Sequence, residues 1–100
     1  MQPKGSKSGG LPPDEAAAIA TQALAYIAGD AARLGRFLAE SGLGPENLRE
    51  AARDPSFLPA VLDFIRSHEQ DLIDFAAVAG INPKLVARAR HALAGGASDH

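Results

Sequence analysis

Two short stretches constrain this chain more than any others: Gly80-Ile81-Asn82-Pro83 and, thirty-eight residues earlier, Gly42-Leu43-Gly44-Pro45. In each, glycine is expected to stop a helix in left-handed backbone, the aliphatic residue to plug the core, and proline to begin the next helix. The repeat extends well beyond the corners. Moving the chain by the same interval superposes Leu24, Ile27, Leu34, Phe37, Ala39 and Ala51 on Leu62, Ile65, Leu72, Phe75, Ala77 and Ala89. Tyr26 falls on Phe64, Leu43 on Ile81, and Leu48 on Val86. Two amphipathic helices aligned by chance would share some apolar positions, but would not easily share the Gly-x-x-Pro turns as well. The repeat therefore predicts two three-helix units, residues 19–53 and 57–91, packed with pseudo-twofold symmetry.

Helix signals between the corners agree. Leu11-Pro12-Pro13-Asp14-Glu15 starts a helix, since proline suits the first turn and acids there complement the dipole. Ile19, Ala20, Ala23, Leu24 and Ile27 form its apolar stripe, and Gly29 ends it. Asp30 caps a second helix on Leu34, Phe37 and Leu38, and Pro45 opens a short third through Leu48, Ala51 and Ala52. Asp54-Pro55 signals the start of a fourth, apolar around more than half its circumference at Phe57, Leu58, Val61, Leu62, Phe64 and Ile65. That is the profile of a helix surrounded by others. Pro59, one turn in, is expected to remove a hydrogen bond and to bend or tighten the first turn. After a break at Ser67 and His68, Glu69 to Ala79 forms a fifth helix. Asn82 caps a sixth on Leu85, Val86, Ala89 and Leu93, which Gly95-Gly96 is expected to stop. The fold class expected is all-α: a compact six-helix bundle.

Composition sets the limits. One hundred residues allow one domain, placed at 12–95. Residues 1–11 read as a disordered tail, because a stretch of Gln, Pro, Lys, Gly and Ser has nothing to bury, and 96–100 as a flexible C-terminus. Absence of cysteine removes disulfide and thiol chemistry and argues against zinc. A formal charge of −2 gives no general attraction to nucleic acid or anionic lipid. The apolar runs are too short to span a bilayer and the N-terminus lacks the core of a secretory signal, so a cytoplasmic location is expected.

Most charges complement helix dipoles. Asp14, Glu15, Glu46, Glu69 and Asp71 lie in first turns, and Arg49, Arg53, Arg66, Arg88 and Arg90 lie toward helix ends. Glu40 near the end of the second helix and Lys84 in the first turn of the sixth oppose the dipole; solvent exposure is the ordinary account of both. His68 with Glu69 and Asp71 invites a metal reading, but one His with two junction carboxylates is a weak start, and a helix junction where His68 and Glu69 cap the backbone is the better account. Asp63 and Asp74 read as solvent-facing acids with nothing to desolvate them for acid/base work. With no nucleophile-and-base set, phosphate loop or dinucleotide fingerprint, the expectation is no catalysis, no cofactor and no metal.

The strongest functional signal follows the second corner. Ala76-x-x-x-Gly80-Ile81-x-x-x-x-Val86 has the spacing of a DNA-reading helix-turn-helix, within residues 72–93. Its second helix carries Lys84, Arg88, Arg90 and His91, and no acid occurs from Phe75 to Ser98. Against DNA stand Glu46 and Glu50 in the earlier copy, Asp71 and Asp74 on the partner helix, and the small number of cations available to phosphate. Any tight corner between packed helices also needs this spacing.

The blocks Ala23-Leu24-Ala25-Tyr26-Ile27-Ala28, Arg33-Leu34-Gly35-Arg36-Phe37-Leu38, Gly42 to Arg49, and Asp54-Pro55-Ser56-Phe57-Leu58 running into Val61-Leu62-Asp63-Phe64 together resemble a known family. It is the family of short alphaproteobacterial proteins catalogued as domain of unknown function number 3572. The resemblance covers residues 14–94 and is most specific at Leu34-Gly35-Arg36-Phe37-Leu38. It implies a stand-alone all-helical cytoplasmic protein with no assigned activity, cofactor or site residues. Genes of such proteins often lie beside a response-regulator gene, which implies a signalling partner.

The reading that follows is a protein-interaction or regulatory module, as a homodimer or with another protein. Lys84, Arg88, Arg90 and His91 form the candidate contact surface beside an acidic face of Asp63, Glu69, Asp71 and Asp74. DNA binding through the sixth helix is the alternative.

Overall fold

The computed structural model describes residues 11–98; the expected tail before Leu11 and the terminal residues 99–100 lie outside the described residues. The chain is all-α: α1 (Pro13–Ala28), α2 (Ala31–Ser41), a 3₁₀ turn (Pro45–Asn47) leading into the single-turn α3 (Leu48–Ala51), α4 (Phe57–Ser67), α5 (Glu69–Ala79) and α6 (Lys84–Ser98). No helix among the described residues is long and apolar enough to cross a membrane.

Three helices make the centre. α1, α4 and α6 pack pairwise on one another, while α2 and α5 each lie against both α1 and α4. The seam of α1 is built from small residues: Ala16, Ala20 and Ala23 are wholly buried, as is Ala89 of α6. Side chains this short let helix axes approach closely, and larger neighbours such as Ile27, Val61, Leu62, Ile65 and Val86 fill the remaining space. All four phenylalanines are buried. Phe37 meets the rings of Phe64 and Phe57 edge-on, with centroids 5.4 and 6.1 Å apart, which ties α2 to α4.

Both corners close alike. Gly42 and Gly80 adopt φ of 77° and 72°. The next amide in each, Leu43 or Ile81, donates back to a carbonyl five residues earlier, Leu38 or Ala76, at 3.0 and 2.9 Å. This is the bond that ends a helix on a left-handed residue. The helices that follow the two corners differ. α3 is four residues long, whereas α6 is fifteen and packs chiefly on α1, in the other half of the chain.

Three local expectations are corrected. Asp54 caps a turn rather than α4 itself: its Oδ1 accepts from the Ser56 amide and hydroxyl at 2.8 and 2.7 Å, and α4 begins only at Phe57. Pro59 is consequently the third residue of α4, where an amide would have no helical acceptor, so proline there breaks no bond. The first helical bond runs from the Ala60 amide to the Ser56 carbonyl, 3.1 Å. α6 continues to Ser98, past Gly95-Gly96, because glycine weakens a helix without obliging it to end.

Glycine substitutions test the corners. A Cβ at Gly35, Gly42 or Gly80 would meet no atom within 4 Å, so backbone conformation alone sets the outcome. Gly35→Ala, inside α2, should stabilise by about 0.5–1 kcal/mol, whereas Gly42→Ala and Gly80→Ala should each destabilise by about 1–2 kcal/mol. Chemical denaturation with unchanged slope is the measurement.

A pH-dependent prediction comes from the Asp54 turn. The Ser56 amide first, and its hydroxyl second, hold the Asp54 carboxyl below its ordinary pKa. A lowered folded-state pKa stabilises above the unfolded value and is lost as pH falls through the folded one. The stability difference between the wild type and Asp54→Ala should therefore shrink as pH drops below the ordinary carboxylate range. A difference that stays constant through that window would refute it.

Candidate functional site

Packing decides which side of α6 is available. Val86 and Ala89 are buried against the centre, and Lys84, Ala87, Arg88 and His91 are exposed. Positions 84, 87, 88 and 91 fall at helical spacing, one continuous outward stripe. At its start, Asn82 Oδ1 accepts from the Lys84 amide at 2.8 Å. The Leu85 and Val86 amides bond to the Asn82 and Pro83 carbonyls. The first turn is therefore satisfied from within, and an anion arriving there has to be met by side chains.

Three of the four predicted contact residues share this stripe; Arg90 does not. Its Nε and Nη2 donate to Asp63 Oδ1 and Oδ2 at 2.8 and 3.0 Å, a bidentate fork between α6 and α4 that raises the arginine's pKa. Arg90 is thus a strut, and Asp63 is not an isolated surface acid. Sequence spacing could not separate Arg90 from Arg88, because the difference is set by where α4 lies.

The acidic face is also revised. Asp71 is buried. It sits between two arginines of α2, with Arg33 Nε 3.5 Å from Oδ1 and Arg36 Nη2 3.4 Å from Oδ2. Arg33 does more than pair. Its guanidinium lies 4.1 Å over the Tyr26 ring, its Nη1 donates to the Tyr26 carbonyl at 3.3 Å, and Nη2 approaches Asp30 at 3.7 Å. This group fastens the α1–α2 corner to α5. Burial raises the Tyr26 phenol pKa, the Arg33 charge opposes the rise, and Asp71, Asp74 and Asp30 add to it. Asp74 accepts from Gln70 Nε2 at 3.2 Å.

His68 links α4 to α5 as the single extended residue between them. Its Nδ1 lies 2.9 Å from the Phe64 carbonyl, so the ring caps the end of α4, as the junction reading expects. Its Nε2 lies 3.2 Å from the Glu40 carboxylate, a charge partner only while the ring is protonated. Among the described residues no three His, Asp or Glu side chains are placed to hold a metal ion.

Two shallow hollows flank Lys84. One, about 320 Å³, is lined by Arg66, Leu72, Pro83, Lys84 and Ala87. The other, about 160 Å³, is lined by Asn82, Lys84, Leu85 and Arg88. A third hollow of about 510 Å³ carries the Asp63–Arg90 pair in its wall, where both charges are already satisfied.

Removing Asp71 tests the buried cluster. Asp71→Ala should cost about 1.5–3 kcal/mol, since Arg33, largely buried, then keeps only the longer approach to Asp30. The double change Arg33→Met with Asp71→Leu should recover most of the loss, read from denaturation midpoints.

No curated protein and no solved structure matches the chain. A family described as "Protein of unknown function (DUF3572)" matches over residues 13–96. That span takes in α1 to α5, all but the last two residues of α6, both corners and the arginines and aspartates that join α2 to α5 and α4 to α6, and the chain belongs to this family.

Proposed function

We propose that the protein is a non-enzymatic interaction module of the cytoplasm, which engages a protein partner through the outward stripe of α6. One observation carries this reading: the division of labour among cations around α6. Arg33, Arg36 and Arg90 are each paired with an acid of another helix. Lys84 and Arg88 have no such partner among the described residues and stand on the exposed stripe. Arg49 and Arg53 are exposed too, but Glu46 and Glu50 lie close to them in sequence and offset their charge. The α6 stripe keeps its charge because no acid occurs from Phe75 to Ser98.

The engagement of Arg90 by Asp63 removes one of the four cations on which DNA binding would draw. That leaves too few phosphate contacts for the affinity such proteins achieve. A protein contact needs fewer charges, because apolar area beside them supplies much of the binding energy.

Capture from native cytoplasm, followed by mass spectrometry, tests the reading. Wild-type protein should retain a partner that is released by raised salt, and Lys84→Glu with Arg88→Glu should retain none. Both positions are exposed, so the double variant should remain within about 0.5–1 kcal/mol of wild-type stability. Retention of the same partner by the folded double variant overturns the assignment of this face. A partner identified as a second copy would make the contact a homodimer.

A further inference from the structure

Resting on that reading, we infer that the face binds an acidic amphipathic helix, a segment bearing carboxylates four residues apart with an aliphatic residue beside them. Two cations, Lys84 and Arg66, line the hollow between α4, α5 and α6, and Arg88 lines the smaller hollow beside it. Lys84 lines both hollows, Arg88 lies one turn further along α6, and Arg66 comes from the end of α4. Arg66 is nearly half exposed and meets Asp63 only at 3.7 Å, while Asp63 is already held by the fork from Arg90. Its charge therefore remains available. The dipole at the start of α6 adds positive potential in the same place.

The spacing of these groups selects the occupant. Lys84 and Arg88 are four residues apart on one helix, a rise of roughly 6 Å. Carboxylates four residues apart on a facing helix repeat at the same interval, so both pairs can form at once. Between the charges the surface is apolar: Leu72, Pro83 and Ala87 line the larger hollow, and Leu85 the smaller. A phosphate backbone has nothing to place against those carbons. An aliphatic side chain of an acidic helix does, and its burial adds free energy that surface ion pairs alone do not supply. The match of charge with apolar contact favours a protein segment over nucleic acid.

The full chain should be titrated by fluorescence anisotropy with labelled helical probe peptides. One would carry Glu at i and i+4 and Leu at i+3. A second would have Gln for each Glu, a third Ala for Leu, and a fourth Lys for each Glu. A short mixed-sequence DNA duplex completes the set. The Glu/Leu peptide should bind the wild type about tenfold tighter than the Gln or Ala peptides. Its affinity should fall about tenfold between low and physiological salt, as expected for exposed charge pairs. Lys84→Glu with Arg88→Glu should abolish that binding and create affinity for the Lys peptide, a reversal that misfolding cannot produce. Ala87→Gln should weaken the Glu/Leu peptide alone by narrowing the hollow.

Equal affinity for the Glu and Gln peptides, or no binding of either, overturns the inference. So does tighter binding of the duplex than of the Glu/Leu peptide. If these peptides fail while the captured partner still depends on Lys84 and Arg88, the interaction reading stands and only its acidic-helix form falls. If capture is also indifferent to the double reversal, both fall together.

Discussion

Close approach of α1 to α6 is the constraint on which the remaining geometry depends. Ala16, Ala20 and Ala23 on one helix and Ala89 on the other are fully buried, so neither helix can rotate without driving a larger side chain into the seam. Volume changes of a single methylene are felt in interiors packed to this density. With Val86 and Ala89 fixed inward, Lys84, Ala87, Arg88 and His91 are fixed outward. The alanine seam thus determines which charges reach solvent, although none of its members is polar. The side of α6 that faces α4 brings Arg90 to Asp63, and the stripe beyond it has no acid within reach among the described residues.

Much of this was legible in the residues themselves. Periodicity gave the helices, the phenylalanines marked the core, and an apolar surface over more than half the circumference, from Phe57 to Ile65, marked α4 as enclosed. The Gly-x-x-Pro stretches located both corners, because only a residue tolerant of positive φ can end a helix that way. What escaped were contacts between residues distant in sequence. Asp71 in a first turn reads as a dipole complement, and its burial follows from Arg33 and Arg36, the latter thirty-five positions away. Arg90 reads as a neighbour of Arg88 until α4 brings Asp63 to it from twenty-seven positions away. Local chemistry misled at Asp54 for a related reason. An aspartate before proline fits a helix cap, but here its carboxylate closes a turn on Ser56 and leaves α4 to begin at Phe57.

The two charges set against helix dipoles make the sharpest comparison. Glu40 lies at the end of α2 and Lys84 in the first turn of α6, and each placement costs about 0.3–1 kcal/mol at an exposed site. For Glu40 the fold supplies a facing group, since His68 Nε2 lies 3.2 Å away and pairs with the carboxylate when the ring is protonated. Lys84 has no corresponding group among the described residues; its neighbours across the larger hollow are Arg66, Leu72, Pro83 and Ala87. A second cation and three apolar side chains increase the local positive potential rather than relieve it. The group that faces Glu40 comes from within the molecule; for Lys84 the described residues offer none, and the proposed partner would supply it. A carboxylate arriving from another chain would reverse the sign of that small cost and relieve the repulsion from Arg66 as well.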